Sequence, residues 1–333
     1  MSKTFSEIEN EIAANQDALN RIRRARQAAK SYLSAPSPRF RARLERVAPQ
    51  AGRKRAFNLM AQGDSWFDYL PGTDLIDCLH ENHGHIFSGA DGSSTNLAVA
   101  SSTLNDEAYG PVPVNFLGIP QSDDVSRIAE LVDRIKTDTP QALLISGGGN
   151  DVAGDEFFSF IENARSGLTP VNPDVLQGVL NRTFKSAFEY IIDNALNAAG
   201  DRPMPIFIHG YDYPWPDGRG VLNLGGWKIG PWFHDSFNHK NYTLDAPNGL
   251  EARHDIVKRF IDGLNDLLQG LAQKYPGKVF YINLRNTLSS WESCDSYFKS
   301  DALVRTFDSI KSGYALAASV LRGRKRLRQS VDG

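Results

Sequence analysis

The sequence contains little cysteine and no long apolar run. Cys78 and Cys294 are its 2 cysteines among 333 residues, too few for a disulfide framework and too far apart for a redox or metal pair. No apolar stretch reaches the length of a membrane span, and the first residues lead into a charged amphipathic pattern rather than a secretory leader. We therefore expect a cytoplasmic protein without a membrane span.

The sequence also lacks a recognisable metal or cofactor pattern. His80, His83 and His85 straddle a predicted helix end and a glycine turn, without cysteine or carboxylate ligands at a known spacing. We predict no metal and no cofactor.

Net charge is small, at -2, but it is distributed unevenly. Residues 1–55 carry 13 basic and 5 acidic side chains, the tail 322–333 carries 5 and 1, and the part between them carries 19 and 33. No aromatic residues interleave the basic tail, as binding of single-stranded nucleic acid would require. The basic ends are therefore interpreted as solvated surface, and no specific nucleic-acid partner is predicted.

Composition favours one large α/β domain with additions, because 41% of the residues are hydrophobic and 23% are charged. Helical spacing from Phe5 to Leu33, with a capping pair at Ser6 and Glu9, ends at a proline-containing stretch. We predict three parts: a basic helical N-terminal extension (1–55), an α/β domain (56–321) and a basic tail (322–333). The extension is expected to pack on the body or on a partner subunit, and nothing in the sequence indicates an oligomeric state.

Short apolar strands alternate with helical patterns along the body. The predicted strands are 56–61, 96–100, 143–145, 206–208 and 279–282, and the predicted helices are 71–82, 123–136, 174–199 and 250–274. Strands that are nearly all apolar indicate a parallel sheet covered on both faces. The predicted fold class is α/β, a three-layer α/β/α sandwich around a parallel sheet of about five strands.

Two motifs follow predicted strands. Gly63-Asp64-Ser65 comes after the first strand, and Gly147-Gly148-Gly149-Asn150 comes after the third. Substrates of open α/β sheets bind at strand ends, where a serine is a possible nucleophile, although the same serine could simply be a helix N-cap. The glycines allow the backbone to approach a ligand, and an asparagine amide can donate to an oxyanion.

These motifs resemble blocks I and III of the SGNH (GDSL) hydrolase superfamily, and the organisation from about residue 57 to 321 is similar. The resemblance implies a flavodoxin-like SGNH architecture in which Ser65 is the nucleophile. It also implies that Asn150 and the N–H of Ser65 stabilise the oxyanion. Ser101 stands where block II of the family has a glycine. Its N–H can still donate, but its Cβ narrows the space and disfavours a positive φ.

The family's last motif, D-x-x-H, is not matched. The segment from Ser312 resembles the start of the family's last helix, but the residues just before it, 305–311, contain Asp308 and no histidine. A serine nucleophile needs an adjacent base, so Asp308 is the candidate for orienting one. Three explanations stay open: an inactive relative that kept the pocket, a histidine from elsewhere (His209 first, His234 second), or an altered stretch at about 291–311, for example by a local frame shift.

A long aromatic and glycine-rich segment, 209–247, follows the fourth strand. It supplies four candidate substrate-binding residues: His209, Tyr211, Trp232 and His234. Such aromatic platforms suit a sugar or an acyl chain, while a satellite hydrophobic cluster that caps the sheet explains the pattern equally well.

The sequence is compatible with two functions. The first is a serine hydrolase that acts on a small-molecule carboxylic ester through an acyl-enzyme. The alternative is a catalytically inactive SGNH-fold protein that binds an acylated or glycosylated ligand.

Overall fold

The computed structural model describes the first two helices and most of the α/β body. The described residues are 2–33, 58–68, 75–76, 95–112, 122–219, 222–224, 227–229 and 231–286. Several predictions lie outside them: Asp308, the tail 322–333, the domain boundaries at 55/56 and 321/322, and all of the helix at 71–82 except residues 75–76.

Helices and strands alternate along the described chain. The helices are α1 (Phe5–Ala14), α2 (Gln16–Leu33), α3 (Leu104–Tyr109), α4 (Arg127–Asp138), α5 (Pro173–Gly178), α6 (Lys185–Ala199), α7 (His234–His239) and α8 (Gly249–Lys274). The strands are β1 (Leu59–Gln62), β2 (Thr95–Asn96), β3 (Pro111–Val112), β4 (Ser122–Ser126), β5 (Ala142–Ile145), β6 (Ile206–His209), β7 (Leu222–Leu224), β8 (Trp227–Ile229) and β9 (Val279–Ile282).

Within the described residues, five of these strands form one parallel sheet flanked by helices. They are hydrogen-bonded in the order β2-β1-β5-β6-β9. Numbered along the chain among themselves, they have the order 2-1-3-4-5, the doubly wound order of flavodoxin-like folds, which reverses between β1 and β5. Every residue of β1, β5 and β6 is buried, as expected for a sheet covered on both faces. The predicted fold class is confirmed.

The N-terminal helical pattern forms two helices, which meet at Asn15. The capping pair predicted at Ser6 and Glu9 is wrong, because the helix is capped two residues earlier. Thr4 is the N-cap, and the Glu7 carboxylate accepts its N–H at 2.6 Å, so the capping box is formed by these two residues.

Ion pairs attach α2 to α4. Arg26 donates to both carboxylate oxygens of Glu130, at 2.6 and 2.9 Å, and Arg23 lies 2.6 Å from Asp133. Glu130 is 3% exposed, so this bidentate pair is well shielded from water. Of the two alternatives left by the sequence, the described part of the extension packs on the α/β body.

The helix predicted at 123–136 begins later, at Arg127. Residues 122–126 form β4, which pairs antiparallel with β3. Ser126 ends the strand and caps the helix, since its Oγ accepts the Ala129 N–H at 3.3 Å. Asp123 and Asp124 resemble the acidic residues that are typical of the first turn of a helix. This explains why the sequence placed the start of the helix too early.

The strand predicted at 96–100 is assigned only as far as Asn96. Its backbone pairing nevertheless continues, because the N–H groups of Leu97 and Val99 donate to the carbonyls of Ala61 and Gly63 at 2.8 and 2.9 Å. The chain therefore stays in register beside β1 up to the turn that contains the block II position.

Helix α5, a π-helical turn at Val179–Phe184 and helix α6 follow one another where a single long helix was predicted. The predicted helix 250–274 matches α8. Its buried residues at a spacing of about four include Ile256, Phe260, Leu264 and Leu268.

The chain divides into two compact units. The first contains the described residues among 1–76, 80–144 and 187–204, and the second those among 145–186 and 205–286. In the second unit an aromatic core surrounds Phe157. The centroid of its ring lies 5.2 Å from the ring centroid of Phe237 and 5.1 Å from that of Phe260. None of the described helices is long and apolar enough to cross a membrane.

The aromatic segment 209–247 contains secondary structure that the sequence analysis did not predict. Strands β7 and β8 form an antiparallel hairpin, and α7 follows. Tyr211, Tyr213 and Phe233 pack against the aromatic core of the second unit. This packing agrees, for these three residues, with the satellite hydrophobic cluster that the sequence offered beside the substrate wall.

Candidate active site

The Gly63-Asp64-Ser65 motif forms a turn directly after β1. Asp64 is 1% exposed, and its Oδ1 accepts the Trp66 N–H at 3.1 Å while its carbonyl accepts the Phe67 N–H at 3.1 Å. The prediction that Asp64 holds this turn is confirmed. Ser65 is half-buried, and residues 66–68 continue as turn and bend rather than helix, which does not support the N-cap interpretation.

The turn with the block II position is tied to the same region. The Asp68 carboxylate accepts the Ala100 N–H at 3.0 Å, and the Asn96 amide donates to the Phe67 carbonyl at 2.5 Å. Burial raises the pKa of Asp68, and the bond from Ala100 acts in the opposite direction. Ser101 is exposed at the tip of this turn and has a φ of 65°, in the left-handed region where glycine is favoured.

Replacing Ser101 with glycine is expected to raise the free energy of unfolding by about 0.5–1 kcal/mol, because glycine adopts a positive φ without the steric cost of a Cβ. Urea denaturation measures the change. The matched control is Ser186→Gly on α6, where the same substitution in an exposed helical position should lower stability by about 0.5 kcal/mol. A glycine at 101 that destabilises the protein would contradict this explanation.

The glycine loop after β5 has two steric reasons for its composition. Gly148 has a φ of 95°, and a Cβ at Gly149 would lie 2.9 Å from the Tyr211 hydroxyl oxygen. The sequence suggested that these glycines direct N–H groups at a ligand. Instead, the Gly149 N–H donates to the Tyr211 hydroxyl at 3.2 Å. Asn150 follows in the next turn and is half-buried.

Tyr211 supports this loop and was predicted only as a substrate-binding residue. Its hydroxyl also lies 3.3 Å from the Gly147 carbonyl, so it connects both ends of the glycine run. The Tyr211 carbonyl in turn accepts the side-chain amide of the buried Asn265 at 3.0 Å, and Asn265 accepts the Tyr281 hydroxyl at 2.5 Å. Burial raises the pKa of Tyr281 to about 12, so that hydroxyl remains a donor at neutral pH.

Tyr211→Phe is expected to lower the free energy of unfolding by about 1–2 kcal/mol, because it removes the hydroxyl and leaves the Gly149 N–H without that partner. Tyr213→Phe is the matched control, since the Tyr213 hydroxyl donates to the Asp262 carboxylate and not to the glycine loop. Thermal and urea denaturation compare the two. Only the Tyr211 variant should also lower the rate of any reaction that uses Asn150.

The two histidines proposed as a surrogate base have defined tautomers. The Nδ1 of His209 lies 2.9 Å from the Gly210 carbonyl, which can only accept, so Nδ1 is the donor of this contact and the neutral ring carries its lone pair on Nε2. The Nδ1 of His234 lies 3.3 Å from the Arg253 guanidinium, which can only donate, so His234 carries its proton on Nε2. His209 therefore has the basic Nε2 but is 1% exposed, whereas His234 presents a donor.

Trp232 remains a candidate for substrate binding. Its side chain is 41% exposed, and its carbonyl accepts the Gly154 N–H at 2.9 Å, which fixes the backbone beneath the ring. Within the described residues, no group of three or more His, Cys, Asp or Glu side chains is placed to hold a metal ion.

His254 makes a contact that the sequence did not reveal. Its ring stacks on Trp215 with centroids 3.9 Å apart and an angle of 12° between the planes. Burial lowers the pKa of His254, and the nearby carboxylate of Asp255 opposes this effect only in part.

The lowered pKa of His254 predicts that stability falls in mild acid. The imidazole of His254 binds a proton more tightly in the unfolded chain than in the folded protein. Its contribution to the free energy of unfolding is therefore complete above the unfolded pKa of 6.5 and is lost as the pH decreases below it. Urea denaturation at about pH 8 and about pH 5 should show a smaller loss in His254→Gln than in the wild type. His239→Gln, an exposed control, should keep the wild-type difference.

No protein-family model matches the chain, and no curated protein matches it. Similar solved structures include the lipase Lip_vut3 from a goat rumen metagenome, with 11% identity, 77% of this chain and 97% of that chain covered, and a TM-score of 0.42. A family 3 carbohydrate esterase from Clostridium thermocellum has 16% identity, coverage of 79% and 100%, and a TM-score of 0.37. A GDSL-like lipase from Bacteroides thetaiotaomicron has 11% identity, coverage of 84% and 97%, and a TM-score of 0.37. The last description names the family that blocks I and III resemble.

Proposed function

We propose that this protein is a serine hydrolase that cleaves a carboxylic ester through an acyl-enzyme, with Ser65 as nucleophile and Asn150 as oxyanion donor. One observation carries the proposal. The turn with Ser65 and the loop with Asn150 follow β1 and β5, which are neighbouring strands in the sheet. The strand order reverses between these two strands, and open α/β sheets bind ligands outside the carboxyl ends of the strands at that point.

In the proposed reaction the Ser65 hydroxyl adds to the ester carbonyl and transfers its proton to a base. The carbonyl oxygen becomes an oxyanion that accepts hydrogen bonds from the Asn150 amide and from the N–H groups of Ser65 and Ser101. The alcohol then leaves with a proton, and water hydrolyses the acyl-serine. His209 is the first candidate for the base because its Nε2 carries the lone pair, and Asp308 is assigned to orienting the base.

The substrate is proposed to be a small-molecule ester. Trp232 is the described candidate with the largest exposed aromatic surface, which suits packing against an acyl chain or a sugar ring. His234 is proposed to donate from Nε2 to an oxygen of the substrate, in agreement with its tautomer. Tyr211 is proposed to act at the same place through its ring, since its hydroxyl is bonded to the glycine loop.

Stopped-flow hydrolysis of a series of p-nitrophenyl esters tests the proposal. An acyl-enzyme mechanism predicts a burst of p-nitrophenol equivalent to about one molecule per active site, followed by slower turnover. The dependence on acyl length also reports the substrate class. Wild-type protein that releases p-nitrophenol no faster than buffer, across the whole series, would exclude an ester hydrolase of this kind.

The alternative is an inactive protein that binds an acylated or glycosylated ligand. It is favoured by the lack of a histidine in residues 305–311, where the family motif would place one, and by the hydrogen bond from the Gly149 N–H to Tyr211. Equilibrium dialysis with a non-hydrolysable ether analogue separates the two. Saturable binding of the ether, together with absent turnover of the matching ester, supports the binding protein. Turnover supports the enzyme.

A further inference from the structure

Arg127 is a buried cation that the proposed reaction does not use. It is the first residue of α4 and is 1% exposed. Its Nη2 lies 3.3 Å from the Leu97 carbonyl and 3.4 Å from the Gly63 carbonyl, and its own N–H donates to Gly110 at 2.9 Å. The guanidinium therefore contacts the backbone that leads into both turns, at Gly63, two residues before Ser65, and at Leu97, four residues before Ser101.

The Gly63 carbonyl is the point where these turns meet. It accepts the Val99 N–H at 2.9 Å, and both the Ser102 hydroxyl, at 3.3 Å, and the Arg127 guanidinium, at 3.4 Å, lie within hydrogen-bond distance. The hydroxyl has a nearer acceptor, the Val99 carbonyl at 2.8 Å. The Arg127 guanidinium is a charged donor, and its Nη2 lies within hydrogen-bond distance of both the Gly63 and the Leu97 carbonyls.

Burying this charge is costly, which makes its presence informative. Burial lowers the pKa of Arg127, while the carboxylates of Glu107 and Glu130 act to raise it. Glu107 is 0% exposed and lies on α3, so a buried opposite charge accompanies the guanidinium. Well-packed apolar residues often fill such a site at similar or lower free energy, so a buried cation with an opposite charge nearby is weak evidence for a purely stabilising role.

We propose that Arg127 is a positioning residue, which fixes the turn bearing Ser65 relative to the turn bearing Ser101 by holding the Gly63 and Leu97 carbonyls. This inference rests on the proposed function, in which the Ser65 hydroxyl and the Ser101 N–H both act on the ester carbonyl group of the substrate. Arg127 does not touch the substrate. It acts by aligning the groups that contact the substrate, because small displacements of such groups lower the reaction rate strongly.

Arg127→Lys tests the proposal, because lysine keeps a positive charge near Glu107 but has a shorter side chain, so its ammonium does not take the place of the guanidinium Nη2 beside the two carbonyls. The expected result is a fall in kcat of about tenfold to a hundredfold for p-nitrophenyl acetate, with KM changed by less than about twofold. Hydrogen exchange of peptides covering 58–68 and 95–102 is expected to accelerate. The matched control is Arg202→Lys, whose Nη2 lies 3.0 Å from the Ile135 carbonyl and 3.5 Å from that of Ala198, away from both turns. It should leave kcat and these peptides unchanged.

Chemical rescue separates positioning from general stability. In Arg127→Ala, guanidinium chloride at about 10–50 mM, far below denaturing concentrations, should restore part of kcat, and equimolar ammonium chloride should not. A wild-type kcat in Arg127→Lys together with unchanged exchange of both peptides would overturn the inference and leave the proposed function intact. Absent turnover in the wild type would overturn the proposed function and the catalytic role with it, and the exchange data would still show whether Arg127 holds the two turns.

Discussion

Replacing Ser65 with alanine is expected to lower kcat/KM for an activated ester by about a thousandfold or more. The alanine has no hydroxyl to form the acyl-enzyme, so the pre-steady-state burst should disappear and only residual hydrolysis by water should remain. Ser65 is half-buried in a turn held by Asp64, and the methyl group fits where the hydroxyl was. The far-UV spectrum and the urea midpoint should therefore match those of the wild type.

The matched control is Ser186→Ala, which removes an exposed hydroxyl on α6. It should keep the burst and the wild-type kcat/KM. Hydrolysis that persists in Ser65→Ala at the wild-type rate, with the same dependence on acyl length, would show that another group is the nucleophile.

The second large effect is expected for Asn150→Ala. Loss of one oxyanion donor typically lowers kcat by about a hundredfold to a thousandfold, and KM should change little because the bond strengthens only as negative charge develops on the carbonyl oxygen. Asn150→Asp should be at least as impaired, since it places a negative charge near the oxyanion. Steady-state kinetics with p-nitrophenyl acetate measure both variants.

Asn181→Ala is the matched asparagine control, because its side-chain amide contacts Gln177 on the exposed face of the π-helical segment. It should leave kcat unchanged. The double variant Ser65→Ala/Asn150→Ala adds a further check: two groups that act on one tetrahedral intermediate should be strongly non-additive, so the double variant should be hardly slower than Ser65→Ala alone. Fully additive losses would mean that the two side chains serve different steps or different sites.

The sequence predicted the sheet well because its strands are short, apolar and separated by periodic helices. β5, β6, β9 and α8 lie where expected, since burial on both faces or on one stripe leaves a direct trace in the residue pattern. The errors fall where local signals compete. The capping box of Thr4 and Glu7 overlaps the second possible pair, Ser6 and Glu9. Strand β4 is polar, and it belongs to a small separate sheet with β3.

The candidate site was predicted only in the parts that lie within contiguous motifs. Ser65 and Asn150 each belong to a recognisable short run after a strand. Tyr211 and the Gly149 N–H, in contrast, are 62 residues apart, and Arg127 is 64 residues from the carbonyl of Gly63. One sequence carries no signal for such pairings, because a side chain bonded to a distant backbone group imposes no spacing on the chain. The single local hint was the excess of glycine before Asn150, which the Tyr211 hydroxyl now explains at one position.

Mapping the adduct formed by a fluorophosphonate probe shows whether Ser65 is the nucleophile. The probe phosphonylates an activated serine, and peptide mass spectrometry locates the modification. We expect one adduct, on Ser65, formed more slowly in Asn150→Ala and absent in Ser65→Ala, where no other serine should take its place. An adduct on a different serine, or none at saturating probe on folded wild-type protein, would contradict it.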